Sequence, residues 1–331
     1  MLGLKEEENF FSMNSDIKVS VVCITYNQEK YIKDAVESFL QQKTEFEYEI
    51  IIHDDCSTDG TSEIVEEYSK KYPDKIHAIL QNENQYSKGV LIIDDIIVPS
   101  AKGEYIALCE GDDYWTDENK LQKQVEALDA NPKCNICAHT VSMVDANTKK
   151  EIKKVRPSKE NTIFSVEQVI VGDGGFVGTN SLMIRRKVYE HGFKARRAYP
   201  LDYTLQIVGS LNVGMLYLKD NMAAYRWCSD NSWTKNVYAD AEKICKHYYR
   251  LINALQVLNN ETEKKYVKTI GKKISEEKLA IVNVRRYNTK LFSKENREVL
   301  KTIPIIDIIE LIIKKIVFLC KDFLGRRLNA K

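Results

Sequence analysis

Glycine and proline together fill only 20 of 331 positions, too few for a collagen-like or low-complexity chain. No glycine-rich turn follows the first strand-like run: Thr25-Tyr26-Asn27-Gln28-Glu29 stands where a dinucleotide fold would place GxGxxG, and no P-loop occurs. A nicotinamide-dependent oxidoreductase is thereby set aside, as is a nucleotidyltransferase built on a glycine-rich phosphate loop. Neither charge sign prevails, with 49 Lys+Arg against 48 Asp+Glu, and an apolar content of 44% fits one large or two small globular domains. The eight cysteines are scattered, several inside apolar runs, and are expected to be reduced. Cys134 and Cys137 form a lone CxxC without a second pair at zinc spacing, and read as a turn entering a buried strand.

The start, with its three consecutive glutamates, lacks the basic flank and apolar stretch of a secretory signal, so a cytoplasmic protein is expected. The balanced total hides an asymmetry. Residues 1–240 carry 28 basic and 38 acidic side chains, a net of −10, whereas residues 241–331 carry 21 and 10, a net of +11. The two parts face different partners, and no nucleic-acid partner is expected.

Short runs rich in β-branched residues, Lys18–Ile24, Glu49–His53, Ile76–Leu80 and Tyr105–Cys109, predict strands buried on both faces. Between them, Glu29–Gln41 and Thr61–Tyr72 carry apolar residues at helical spacing. This alternation predicts an α/β fold, a mostly parallel sheet flanked by helices. Further on come a strand at Ser181–Ile184, a helix from Tyr203 to about Leu211, a strand at Val213–Leu218 and another strand-like stretch ending at Tyr225-Arg226-Trp227. The organisation expected is a lead at 1–16, one domain at 17–236, a basic helical extension at 237–303 and an amphipathic helix at 304–331.

Ligands of open parallel sheets bind outside the carboxyl ends of the strands, and here those ends are unusually polar. Thr25-Tyr26-Asn27 follows the first strand, Asp54-Asp55-Cys56-Ser57-Thr58-Asp59-Gly60 the second, and Glu110-Gly111-Asp112-Asp113-Tyr114-Trp115 the fourth. Crowded carboxylates repel, and a divalent cation completed by substrate phosphates and water relieves them, which points to a metal–nucleotide site holding Mn²⁺ or Mg²⁺. Asp54, Ser57 and Asp59 also suit a turn that caps the next helix.

VSVVCITYNQEKYI, EIIIHDDCSTDGT, AKGEYIALCEGDDYWTDENKLQKQV and GTNSLMIRR together resemble the family 2 glycosyltransferases, inverting enzymes of the GT-A Rossmann-like fold that use nucleotide sugars, over residues 17–235. The resemblance implies transfer of a hexose or N-acetylhexosamine from a UDP-sugar to a saccharide acceptor, carried on a lipid, in capsule, O-antigen or exopolysaccharide synthesis. It places Thr25, Tyr26 and Asn27 in the nucleobase pocket, with Tyr26 stacking, and makes Asp55 the acceptor for a uracil N–H. Asp112 would face the ribose or metal shell and Asp113 would bind the cation on the diphosphate. Asn84, Lys88 and Gly89 lie in a segment that approaches the nucleotide. Glu110 and Trp115 would shape the sugar pocket, Arg226 would clamp the diphosphate, and Gly178, Thr179 and Asn180 would meet the acceptor. Asp202 is the expected general base, with the N-cap of a helix as its competing role and Asp173 and Asp230 as fallbacks. Ser229–Asn236, with Trp233, would form a closing loop. The alternatives are a nucleotide-sugar-binding module without catalysis and a transferase with a protein acceptor.

In Ile305–Leu324, polar residues recur near helical spacing and the longest unbroken apolar run is five residues, short of the roughly 20 that a membrane-crossing helix needs. With Arg326, Arg327 and Lys331 beyond it, this helix suits an anionic membrane face, which would make the protein peripheral on the inner face of the plasma membrane. Docking on the protein's own body or on a second copy, a homodimer, is the competing use.

Overall fold

Side chains of β1 (Ile17–Thr25) alternate between two apolar layers: Val19, Val21 and Cys23 enter one core and Val22 the other. β2 (Glu47–Asp54) divides Ile50 and Ile52 from Ile51 in the same way, and β4 (Tyr105–Leu108) divides Tyr105 and Ala107 from Ile106 and Leu108. Such two-sided burial is what a parallel sheet covered by helices requires. The computed structural model describes residues 17–227, 229–230, 237, 240–285 and 293–309.

α1 (Ile32–Leu40) and α2 (Thr61–Lys71) connect β1 to β2 and β2 to β3 (Ile76–Leu80), and the pairs β1–β2, β2–β3 and β1–β4 are parallel. β5 (Tyr114–Trp115), α3 (Lys120–Asp129), β6 (Ile136–Asp145), β7 (Glu151–Val155), β8 (Thr162–Phe164), α4 (Val166–Gly172), β9 (Met183–Arg185), α5 (Lys187–Glu190), α6 (Lys194–Ala198), α7 (Asp202–Ser210) and β10 (Met215–Trp227) follow. The sheet order is β3-β2-β1-β4-β9-β6-β10-β5, with β7 on β6 and β8 on β10. β9 runs antiparallel between β4 and β6. The parallel run therefore stops beside β4, the strand whose end carries the densest carboxylates.

The two strand-like stretches expected at 213–218 and near 225 are one strand, because register shifts around Asn221 let β10 follow β6 along its length. The strand expected at 181–184 starts later, after a 3₁₀ turn at Thr179–Ser181. β7 had no readable signal: four of its five residues are exposed, so no apolar alternation marks it. Cys137 lies in β6 and Cys134 just before it, both buried and unpaired, as a turn entering a strand requires.

α8 (Ala241–Glu261), α9 (Val267–Arg285) and α10 (Lys294–Lys301) account for the basic region. Leu251, Ala254, Leu255 and Leu258 of α8 and Ile270 of α9 join the core on one face of the sheet. Residues 305–309 are helical after Pro304, with Ile305, Ile306 and Ile309 exposed; the rest of the helix expected over 304–331 lies outside the described residues. Among the described residues no helix is long and apolar enough to cross a membrane.

Candidate active site

Hydrogen bonds sew the loops after β1 and β2 into one floor. Asn27, at a φ of 53° that Asn tolerates better than most residues, donates its N–H to Ser57 Oγ (2.8 Å) and accepts from Thr58 N–H (2.7 Å). Asp54 accepts from Ser57 N–H (3.0 Å), Ser57 Oγ and Ser62 Oγ (2.6 Å), and Asp59 holds both the N–H and the hydroxyl of Thr61 at the start of α2. The turn-building reading of Asp54, Ser57 and Asp59 is thus what their contacts support. Asp55 points the other way: Oδ1 accepts from Gln85 N–H (2.7 Å), Oδ2 from Tyr86 N–H (3.1 Å), and Asn84 Nδ2 donates to its carbonyl (3.1 Å). Tyr26 and Tyr86, 41% and 63% exposed, project at the rim.

The end of β4 is different in kind. A Cβ on Gly111 would lie 2.8 Å from Thr25 Oγ1 and 2.5 Å from Gln28 Oε1, so only glycine lets this loop press against that of β1. Asp112 accepts from the Ser229 hydroxyl, and its pKa is raised by burial, with the bond from Ser229 and the charge of Arg226 opposing. Asp113 is 1% exposed; its Oδ1 accepts from Arg226 N–H (2.9 Å) and its Oδ2 is buried with no hydrogen-bond partner. Burial, then the charges of Asp112 and Glu110, push its pKa well above the carboxylate range. The Glu110 side chain reaches solvent at the crevice, yet the surrounding walls, then Asp112 and Asp202, push its pKa up to about 8.

Asp202 faces these carboxylates from the other wall. It is the first residue of α7, whose N-cap is Leu201, so Asp202 is not the cap. Its Oδ1 accepts from Tyr203 N–H (2.7 Å) and its Oδ2 from Thr179 Oγ1 (2.9 Å), and burial raises its pKa against those bonds. Of the fallback bases, Asp173 pairs with the buried Lys273 of α9 (3.3 Å) and Asp230 with Lys30 (3.0 Å).

The profile of glycosyl transferase family 2 matches residues 20–193, more than half of the chain. The chain belongs to glycosyl transferase family 2. It is 37% identical over 225 residues to the uncharacterized protein Rv1520 of Mycobacterium tuberculosis, covering 68% of this chain and 63% of that one. It therefore spans less than two thirds of that relative's length. Over 110 residues it is 40% identical to the putative teichuronic acid biosynthesis glycosyltransferase TuaG of Bacillus subtilis, 33% of this chain and 41% of that one. Its fold is similar to that of Staphylococcus aureus TarS 1–349 in complex with UDP-GlcNAc, at a TM-score of 0.58 and 19% identity over 86% of this chain and 76% of that chain.

Within this family 2 fold the structure ties the loops of Thr25 and Asp55 together, presses the loop of Glu110, Asp112 and Asp113 against Thr25, and sets Asp202, bonded to Thr179, beside Glu110; other expected site residues have structural work. Arg226 does not face the crevice as a diphosphate clamp would: it is 1% exposed, between the rings of Tyr114 (4.5 Å) and Tyr31 (5.1 Å), and bonds Asp34 and the Asp112 carbonyl (2.6 Å). Its role is to hold Asp112 and Asp113 from behind. Trp115 is not in a sugar pocket but in the core against Phe39 (4.7 Å), with Nε1 donating to the Asn180 carbonyl (3.1 Å). Asn180 is fully buried and ties β10 through Ala224 O (2.9 Å), so it is no acceptor contact. Gly178 is needed for close packing, since a Cβ there would meet Asn180 Oδ1 at 2.9 Å. Lys88 pairs with Glu83, and Gly89 closes a 3₁₀ turn at φ 80°. Trp233 and residues 231–236 lie outside the described residues.

Ser229, whose hydroxyl bonds Asp112, carries no sequence signal for that role. The divalent cation that the family implies finds a fitting residue in Asp113, whose free buried oxygen lacks a partner. No three His, Cys, Asp or Glu side chains among the described residues could hold a metal unaided, which suits a cation held by one or two carboxylates plus substrate phosphates.

Proposed function

We propose that the chain is an inverting glycosyltransferase that moves a hexose or N-acetylhexosamine from a UDP-sugar to a saccharide acceptor in surface polysaccharide synthesis. The observation that carries this reading is the end of β4, where a buried carboxylate oxygen is left unpaired within reach of two more carboxylates and opposite Asp202. Such an arrangement is costly unless a ligand completes it. The relatives support the substrate class: TarS 1–349 is known in complexes with UDP and UDP-GlcNAc, and TuaG is assigned to teichuronic acid synthesis.

In this reading Tyr26 stacks on the uracil, and Asp55 fixes the 84–86 turn while its remaining lone pairs accept the uracil N–H. Asp112 turns toward the ribose, and Asp113 holds the cation. Bound Mn²⁺ or Mg²⁺ supplies positive charge that offsets the charge growing on the departing UDP. Asp202 accepts the proton of the acceptor hydroxyl as its oxygen bonds the anomeric carbon and the bond from that carbon to the diphosphate oxygen breaks, which inverts the centre. Thr179 keeps the Asp202 carboxylate turned toward the crevice. Residues 17–236 form the transferase domain and 237–303 its helical extension. Residues 304–331 hold it at an anionic membrane face, within reach of a lipid-linked acceptor.

A donor screen tests the reading: protein with Mn²⁺ or Mg²⁺ and each of several UDP- and GDP-sugars, followed by nucleotide release and thermal shift, with Asp113→Ala as control. One stabilising UDP-sugar that is slowly hydrolysed, both effects vanishing in the variant, is the expected result. Failure of every nucleotide sugar to bind would remove the transferase reading. For the membrane part, flotation with anionic liposomes that is unchanged by deleting residues 304–331 would remove that contact.

A further inference from the structure

Arg196 and Asp94 form an ion pair between sequence positions 102 apart, and both are nearly inaccessible, at 7% and 11% side-chain exposure. The contact is forked, Nε to Oδ1 at 3.3 Å and Nη2 to Oδ2 at 2.9 Å. The remaining arm, Nη1, donates to the Leu201 carbonyl at 2.8 Å. That carbonyl belongs to the residue at which the chain turns into α7, and it also accepts from Thr204 Oγ1 (2.7 Å) and Leu205 N–H (3.2 Å). Asp202 is the next residue.

Asp94 lies in a π-helical turn, Ile92–Ile97, a wide and uncommon backbone form often found at functional sites. The chain reaches that turn directly from Gln85 and Tyr86, whose N–H groups hold Asp55. Asp95 and Arg197 repeat the pairing on the surface at 3.0 Å, so the match of two acids with two arginines fixes the register. Burying such a pair adds little net stability compared with apolar side chains of similar volume.

We infer that the Asp94–Arg196 pair is a positioning device that sets Leu201, and through it Asp202, against the donor-binding loop. This rests on the reading of Asp202 as general base. The guanidinium fork seizes the carboxylate at two points and the carbonyl at a third, a geometry that a lysine cannot reproduce. Around Asp202 stand Glu110 from the end of β4, Asp173 from the loop after α4, Tyr199 from the chain before α7 and Arg196 itself; of these only Arg196 is a cation, and it favours the ionised carboxylate.

The test uses the full chain and the UDP-sugar selected by the donor screen, following UDP release with water as acceptor. Arg196→Lys is expected to lower kcat about 10–100-fold, the range set by misplacing a reacting group, with donor KM changed less than threefold. Arg196→Met, which also removes the charge, should move the acid limb of the kcat/KM profile to higher pH. The double variant Asp94→Leu/Arg196→Met separates folding from positioning: its melting temperature should equal or exceed that of the parent, with UDP affinity retained and kcat still low. Parental kcat in that double variant would overturn the inference, as would a loss that follows donor affinity. Asp202→Asn is the accompanying control. If it stays active, the base reading fails and this inference with it; if it is inactive while the Arg196 variants are not, the inference alone fails.

Discussion

Two groups of carboxylates line the same crevice and do opposite things. After β2, Asp54 and Asp59 have their oxygens taken by nearby N–H and hydroxyl donors. After β4, Asp113 keeps a buried oxygen with no partner, and Glu110 and Asp113 hold raised pKa values. A satisfied carboxylate is building material, whereas an unsatisfied buried one is a site in want of a ligand. Residue type and position at a strand end are shared; the supply of local donors separates the two roles.

The largest effect is expected from Asp113→Asn. It keeps an acceptor for Arg226 N–H and removes the unpaired charge, so UDP release should fall about 10²–10³-fold, while the melting temperature stays level or rises. Asp54→Ala should do the reverse, losing about 2 kcal/mol in a urea melt because three donors lose their acceptor, with activity falling only as far as the loop shifts.

Away from the crevice, Lys120 is a buried charge of the other sign. It is fully buried, stacked 4.0 Å from the Trp115 ring, and burial lowers its pKa to about 7. In the unfolded chain it stays protonated to a much higher pH, so the parent gains stability relative to Lys120→Met as pH rises from about 7 toward 10. At pH 6 the variant should be more stable by about 1–2 kcal/mol, the gap closing in alkaline melts, with UDP release unchanged. A gap that does not vary with pH would show that the bond to Gln124 Oε1 (2.8 Å) and the Trp115 ring fully compensate this buried charge.

The smallest effect is expected at Thr179→Val. Its hydroxyl favours the ionised Asp202, so losing it raises that pKa and moves the acid limb of kcat/KM to higher pH. A profile that does not move would detach Thr179 from the base.

What the sequence made legible was local. β1 to β4, α1 and α2 announce themselves by period and strand-end polarity, and their loops bring Asp55, Asp112 and Asp113 to the crevice by topology alone. What stayed hidden depends on distant partners. Arg226 at a strand end looks like a free cation, and only Asp34, Tyr31 and Tyr114 folding around it make it internal. Trp115, next to two aspartates, looks like a pocket ring, but the alternation of its short strand turns it under the sheet against Phe39. Likewise Arg196 finds Asp94 across 102 positions, and no spacing rule anticipates that contact.

Thermal melts of the parent, Asp113→Asn and Asp54→Ala, each with UDP alone and with UDP plus Mn²⁺, tell a carboxylate that waits for a cation from one that only builds a loop. A metal-dependent rise is expected in the parent, no such rise in Asp113→Asn despite an equal or higher starting melt, and a lower starting melt with the rise retained in Asp54→Ala. A metal-dependent rise that survives in Asp113→Asn would contradict that division of roles.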